Sequence, residues 1–349
     1  MSRATKPSVG AQEVIISVII PSLNEQAMIG KSLTSLAIAN AANTSFEVIV
    51  VDNGSTDRTL EIAESFADRL TIQTVQKAGV HVSALRNIGA RMSRGKVLAF
   101  LDADCVVPTD WLLNARREFC DDSAGVVGGY IRIPDDSTWV SQAWYGFGYA
   151  PKTGDVDYVP SGNLLMRRAD FVAIGGFDER LETTEDFDLC LRARQASLSV
   201  RAVSDLAVIH LRTPRTPREF YNRERWHGAH VAKALRGNIA QWKSFRAIAF
   251  ALFTFLCLVG AVGGAVFGLA TGNLRPFLGF ICTMLAGSVF CTVAKCKSAR
   301  KSVSVGIFLQ LTSLHIIYGM ARAQALLSLS SSYHRSLTLQ AIEVPAERS

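Results

Sequence analysis

In the stretch VLAFLDADCVVP, Asp102 and Asp104 directly follow the apolar run Val97–Leu101. Residues two apart in an extended chain project to the same side, with their Cα atoms about 6.5–7 Å apart. Two carboxylates held that way repel by roughly 3–4 kcal/mol at an effective dielectric near 20. A divalent cation offsets this cost. Hard carboxylate oxygens suit Mg²⁺ or Mn²⁺, which in turn bridge phosphate oxygens. A solvated acidic turn is the plain alternative for an isolated Asp-x-Asp.

Other polar residues also follow apolar runs. Asp52 ends VIVVD, and DNGS after it is a good turn sequence. As a functional group, its carboxylate would accept hydrogen bonds from a ring N–H or hydroxyl of a nucleotide. Pro21 and Glu25, in PSLNE, close the first run. Arg86 and Asn87, in ALRNIGA, open a helical stretch where a guanidinium could meet phosphate or simply face solvent. Farther on, IGGFDERLETTEDFDLCLR crowds its acids. Asp186 there suits a helix cap or first turn, or one acid of the group serves as a general base.

Strands and helices must bring these residues together. Val14–Ile20, Phe46–Val51, Leu70–Val75 and Val97–Leu101 read as strands, and 27–41, 59–67 and 82–92 as helices between them. Continuous apolar strands alternating with helices predict a parallel, Rossmann-like α/β sheet, with ligands bound beyond the carboxyl ends of the strands. The pattern loosens from 125 to 210: GVVGGYIRI, NLLMRR and LAVIHL read as strands, and DFDLCLRARQ as a helix.

Composition then changes. Ala247–Thr271 carries no charge and would measure about 37 Å as a helix, against a hydrocarbon core of about 30 Å. A second uncharged run covers 276–294, and a third, 303–327, holds Gln310, His315 and Arg322. The loop KCKSARK is basic, whereas the turn before it offers only Arg275. The positive-inside rule then places the first domain and KCKSARK on the cytoplasmic side. The expectation is a multi-pass anchor of two or three transmembrane helices in the inner (plasma) membrane. The polar MSRATKPSVGAQE and the short run after it do not read as a signal peptide. The seven cysteines form no CxxC pair, so no disulfide framework is expected. A net charge of +7 suits nucleic acid, anionic lipid or nucleotide phosphates alike. The basic segment 215–236 adjoins the apolar runs, which favours lipid or phosphate and sets nucleic acid aside.

The ordered motifs PSLNE, VDNGSTD, VSALRNIGARMSRGKVLAFLDADC, GGFDERLETTEDFDLCLR and RERWHG resemble those of glycosyltransferase family 2, inverting enzymes of GT-A fold. The resemblance spans about 14–230. It implies a GT-A domain over 14–236, with a nucleotide-binding half (14–105) and an acceptor half (106–236), followed by a membrane anchor over 247–327. It assigns the nucleoside to Pro21, Glu25 and Asp52, and the metal and diphosphate to Asp102 and Asp104. The base falls to Asp186, with Glu185 beside it. His210 matches a histidine that completes the metal site in some relatives, a buried structural histidine being the alternative. The implied reaction moves a sugar from a nucleotide sugar, a UDP-sugar for preference, to a membrane-associated acceptor, in keeping with a lipid-linked glycan of cell-surface polysaccharide synthesis. Transfer onto a polyprenyl phosphate is the near alternative, and a non-catalytic nucleotide-sensing membrane scaffold the distant one. One departure stands out: Asn222 replaces the glutamine of the processive QxxRW pattern, while Arg225 and Trp226 are kept.

Overall fold

A computed structural model describes residues 16–39, 45–120, 124–146, 153–181, 183–236, 242–299 and 303–342. The expected strand start at Val14, the helix end at 40–41, and Arg300 and Lys301 of KCKSARK lie outside these residues. The chain divides into two compact units, residues 1–134 with 151–212, and residues 135–150 with 213–349.

The first unit opens with β1 (Ile16–Ser22), α1 (Ile29–Ala39), β2 (Phe46–Asp52), α2 (Thr59–Glu64), β3 (Ile72–Gln76), α3 (Val82–Met92) and β4 (Val97–Leu101). β1, β2 and β4 are buried along their whole length. Strand period two divides their side chains between two core layers. Val18, Ile20, Ala99 and Leu101 face one layer with Leu33 and Leu36 of α1. Ile19, Leu98 and Phe100 face the other. The four strands pair in parallel in the order β3-β2-β1-β4, so their carboxyl ends share one edge.

Beyond them the chain adds β5 (Cys105–Val106), α4 (Trp111–Glu118), β6 (Val126–Gly128), β7 (Ile131–Arg132) and, in the second unit, the short α5 (Trp139–Ser141). It returns with β8 (Gly154–Asp155), β9 (Asn163–Arg167), α6 (Arg168–Ala173), α7 (Glu185–Gln195), β10 (Val200–Ala202) and β11 (Val208–His210). β9 runs antiparallel to both β4 and β6, so the sheet is mixed from this point. A small second sheet has the order β5-β11-β7. GVVGGYIRI, expected as one strand, is two strands in different sheets. They part near Gly129, where a Cβ would lie 2.0 Å from the Leu206 carbonyl oxygen.

The second unit holds α8 (Pro217–Arg236), α9 (Trp242–Thr271), α10 (Arg275–Ala299) and α11 (Val305–Ile342). α8 belongs to this unit, whose second segment starts at Thr213. The reason is the face of α8 that carries Phe220, Glu224 and Gly228. Phe220 joins Leu311 and Leu314 in a core, Arg322 Nη2 donates to Glu224 Oε2 at 2.7 Å, and Gly228 meets Ala325. Among the described residues, two stretches are long and apolar enough to cross a membrane, Arg246–Thr271 and Arg275–Ala299. α11 does not join them, since Gln310, His315, Arg322 and Gln324 break its apolar course. The glycines of VGAVGGAVFG bring α9 against α10: a Cβ at Gly260 would strike Phe280, and one at Gly264 the backbone of Phe277.

Candidate active site

Two loops leave the carboxyl ends of β1 and β2 and are laced together. Asn24 Oδ1 accepts the Thr56 N–H at 2.9 Å, and the Asn24 N–H donates to Ser55 Oγ at 2.8 Å. The Glu25 N–H donates to Thr59 Oγ1 at 2.8 Å, and Asn24 holds φ 53°, in the region asparagine tolerates better than most residues. Asp52 organises this knot. Its Oδ2 accepts the N–H groups of Gly54 and Ser55 at 2.9 and 2.7 Å, and its Oδ1 accepts the hydroxyls of Ser22 and Ser55. The turn role of DNGS is therefore realised.

Asp102 and Asp104 follow β4 and have different surroundings. Asp102 Oδ1 accepts Arg86 Nη2 at 2.9 Å, and its other oxygen lies against Gly162, where a Cβ would come within 2.4 Å. Asp104 is buried, its Oδ2 3.4 Å from His210 Nε2 at the end of β11. Burial pushes the Asp104 carboxyl above its ordinary range, with His210 opposing and Asp102 adding to the rise. Glu25 lies in the same cleft, of about 280 Å³, with Pro21, Asp102, Asp104 and His210 along its walls. Burial raises Glu25 to about 7, Arg212 offsets part of this, and Asp104, Asp102 and Asp57 add to it.

Arg86 is buried and joins this cleft to Glu185, beside Asp186, rather than meeting solvent. Its Nη1 donates to Glu185 Oε1 at 2.8 Å while Nη2 holds Asp102. Burial opposes its charge, but Asp102 and Glu185 outweigh it and raise the guanidinium pKa. Ser161 Oγ also donates to Glu185 Oε1, at 2.9 Å, so Glu185 is tied down. Asp186, in the first turn of α7, accepts the adjacent Phe187 N–H at 2.7 Å and the Ser161 backbone N–H. Burial first and Glu185 second raise its carboxyl to about 7. Such a carboxyl can take a proton near neutral pH. The helix starts from Thr184, whose φ of 66° is strained for a β-branched residue.

The donor set at Asp104 and His210 fits a hard divalent ion, one carboxylate oxygen and one imidazole nitrogen on the wall of an acidic cleft. Cys105 completes a group whose ligand atoms lie within 4.8 Å of one another. Burial holds its thiol well above the ordinary range, so it stays protonated without a metal.

Comparison with known proteins identifies the family. The family model described as glycosyl transferase family group 2 matches residues 97–295, and that of glycosyl transferase family 2 matches residues 17–174. The chain belongs to glycosyltransferase family 2. Among its relatives, glycosyltransferase AglE of Haloferax volcanii is 30% identical over 206 residues, 57% of this chain and 67% of AglE. Pre-mycofactocin glycosyltransferase of Mycobacterium tuberculosis is 27% identical over 217 residues, 59% of this chain and 44% of that protein. The chain thus spans less than half of the latter. Among solved structures, the mannosyltransferase PcManGT from Pyrobaculum calidifontis, in complex with GDP-Man and Mn²⁺, is 19% identical with a TM-score of 0.56, over 92% of this chain and 90% of that one. The fold is GT-A, and the protein is a glycosyltransferase.

All nine singled-out residues of this glycosyltransferase lie in its first unit. Pro21, Glu25, Asp102, Asp104 and His210 line one cleft, and Arg86 links Asp102 to Glu185 beside Asp186. Asp52 is drawn into loop architecture, and Arg86 meets two carboxylates where a phosphate was the expected partner. Sequence reasoning passed over Ser161, Gly162, Cys105 and Arg212. Cys105 and Arg212 were within reach, being next to Asp104 and two residues past His210.

Proposed function

We propose that this glycosyltransferase is metal-dependent and inverting, and moves a sugar from a nucleotide-sugar donor, for preference a UDP-sugar, to a membrane-associated acceptor hydroxyl. The observation that carries the reading is the relay Asp102–Arg86–Glu185. It runs from the cleft holding Asp104 and His210 to the raised carboxyl of Asp186.

Asp104 and His210 would hold Mg²⁺ or Mn²⁺, with Asp102 nearby. A bound ion supplies charge neutralisation for the diphosphate. Asp52 and Asn24 fix the loops against which the nucleoside rests, and Pro21 and Glu25 form part of the cleft wall. Asp186 accepts the acceptor's hydroxyl proton as that oxygen attacks the sugar carbon from the face opposite the diphosphate. Arg86 and Ser161 keep Glu185 from competing for the proton. A base poised near 7 suits a hydroxyl acceptor, whereas a polyprenyl phosphate would need none.

The two apolar helices support an anchor in the inner (plasma) membrane with the catalytic unit cytoplasmic, and a lipid-linked glycan of cell-surface polysaccharide synthesis as acceptor. Purified full-length protein should release nucleoside diphosphate from one member of a nucleotide-sugar panel only when Mn²⁺ or Mg²⁺ is present. Full turnover in EDTA overturns the metal assignment. A reporter fused after Gly272 should read as external and one after Arg300 as cytoplasmic; the reverse pattern defeats the topology.

A further inference from the structure

β5 opens with a thiol that sugar transfer does not use. Cys105 is fully buried, and β5 runs antiparallel to β11 in a register that sets Cys105 opposite His210. Residues directly opposite in such a pair project to the same face. Asp104 precedes the cysteine, and two backbone bonds fix this corner. The Cys105 N–H donates to the Asp102 carbonyl at 3.0 Å, and the Leu211 N–H to that of Asp104 at 2.8 Å. One carboxylate oxygen, one sulfur and one imidazole nitrogen thereby gather within 4.8 Å of one another.

The group offers two different ligand sets. Asp104 and His210 line the cleft, where a hard ion meets an oxygen and a nitrogen. Thiolate adds little for Mg²⁺ or Mn²⁺, but it is a preferred ligand of Zn²⁺. Zn²⁺ takes sulfur, nitrogen and oxygen together at about 2.0–2.3 Å, which sets tetrahedral ligand atoms about 3.4–3.6 Å apart. Asp104 Oδ2 and His210 Nε2 already stand at 3.4 Å. A side-chain adjustment of about 1 Å separates the present spread of the three from that geometry. We propose that Asp104, Cys105 and His210 form a thiophilic site for Zn²⁺, and that an ion held there excludes the Mg²⁺ or Mn²⁺ that shares two of its ligands. The S–H bond breaks as the Zn–S bond forms: its proton goes to solvent and its electron pair to the metal. The competing role is packing alone, since Cys105 sits in the core with Ala103, Val107, Leu206 and Val208.

The proposal rests on the metal reading of Asp104 and His210, and the test separates the two. Purified full-length protein, with its cysteines reduced, is titrated with Co²⁺, Zn²⁺ and Mn²⁺ as the wild type, Cys105→Ser and Cys105→Ala. Co²⁺ should give the wild type a near-ultraviolet sulfur-to-metal charge-transfer band that both variants lack and that Zn²⁺ or excess Mn²⁺ removes. Zn²⁺ affinity should fall by about 100-fold or more in both variants, at or beyond the top of the range for losing a mere outer-shell partner, while Mn²⁺ affinity holds. Zn²⁺ outranks Mn²⁺ at any nitrogen and oxygen site, so the comparison between proteins decides. The remaining cysteines are common to all three. No band in the wild type, or Zn²⁺ affinity unchanged in either variant, makes Cys105 a packing residue and overturns the proposal. Equal loss of Zn²⁺ and Mn²⁺ overturns it too, because the variants have then disturbed Asp104 and His210. A wild type that binds Zn²⁺ through Cys105 but never Mn²⁺, with or without UDP, keeps the thiophilic site and removes the metal-dependent transfer reading. Should neither variant fold, His210→Gln must lose the same band with the thiol still present, and a band that survives it overturns the proposal.

Discussion

Two carboxylates close neighbouring regions of the same sheet edge and are treated in opposite ways. Asp52 ends β2 fully buried, and its oxygens accept two backbone N–H groups and two serine hydroxyls. Asp104, just past β4, is almost as buried, with His210 at 3.4 Å and the Arg212 guanidinium also acting on it. The first is satisfied within the protein, as buried polar groups in native folds nearly always are. The second is raised by burial and by Asp102, against the pull of those two cations. A fold tolerates that state where a ligand completes it. Strand-end placement therefore did not distinguish function from architecture. The partners do.

The largest effect should come from the carboxylate whose pKa burial raises. Asp104→Ala removes the carboxylate oxygen offered to a cation, so turnover should fall by about 10³-fold or more, and metal-dependent nucleotide binding should vanish. The thermal midpoint should hold or rise, since the change relieves a buried charge. Wild-type turnover would erase the contrast with Asp52.

Next is Asp186. Asp186→Asn should slow transfer by about 10²–10⁴-fold with donor affinity nearly unchanged. With donor saturating, the wild-type rate should climb with pH and level off above about 7, because only the ionised carboxylate takes a proton. The variant's residual rate should lack that rise. Stability moves the other way. A folded pKa of about 7 against an unfolded value near 3.9 means that the native state binds more protons between them. Asp186 thus favours the fold at low pH, and that contribution is lost as pH rises towards 7. Denaturant titrations at pH 5 and 8 should show a smaller difference for Asp186→Asn than for the wild type.

Arg86 tests the relay. Arg86→Met leaves Asp102 and Glu185 without their shared cation, which should cost about 3 kcal/mol. Adding Glu185→Gln should recover part of that loss in a double-mutant cycle. Additive losses would show that the guanidinium does not couple the two acids.

Much of this was legible in the residues, for a physical reason. Continuous apolar runs fix buried parallel strands, and β1, β2 and β4 lie where Val14–Ile20, Phe46–Val51 and Val97–Leu101 predicted, within two residues. Local pattern and family resemblance singled out Asp102, Asp104 and His210, and these three residues line one cleft. The Arg86 bridge could not be read. It spans 99 positions to Glu185, and nothing in ALRNIGA says whether a guanidinium turns inward to carboxylates or outward to a phosphate. The break at Gly129 was hidden for the same reason, since its cause, the Leu206 backbone, is remote in sequence. The packing of α8 was hidden because the helix is basic and polar by composition. The Phe220, Glu224 and Gly228 face becomes visible only beside α11.

The smallest expected effect closes the comparison from the satisfied side. Asp52→Asn preserves shape. Its amide oxygen can still accept the Gly54 and Ser55 N–H groups, and its NH₂ can face the Ser22 and Ser55 hydroxyls, which turn round to accept. What is lost is the charge assistance of those bonds, so unfolding free energy should drop by only about 1–2 kcal/mol. Donor affinity should weaken only as far as the loops after β1 and β2 loosen. If Asp52 is chiefly architecture, Asp52→Ala, which strips all of these bonds and that from Gln76, should lose far more stability than Asp52→Asn. Donor affinity should follow the same order. The opposite result is equally plain to read. Were Asp52→Asn as stable as the wild type but more than about a hundredfold weaker for uridine, the carboxylate would be a nucleoside contact. Asp52 and Asp104 would then both be ligand-binding groups, and the number of internal hydrogen bonds would fail as a guide to which carboxylate a ligand completes.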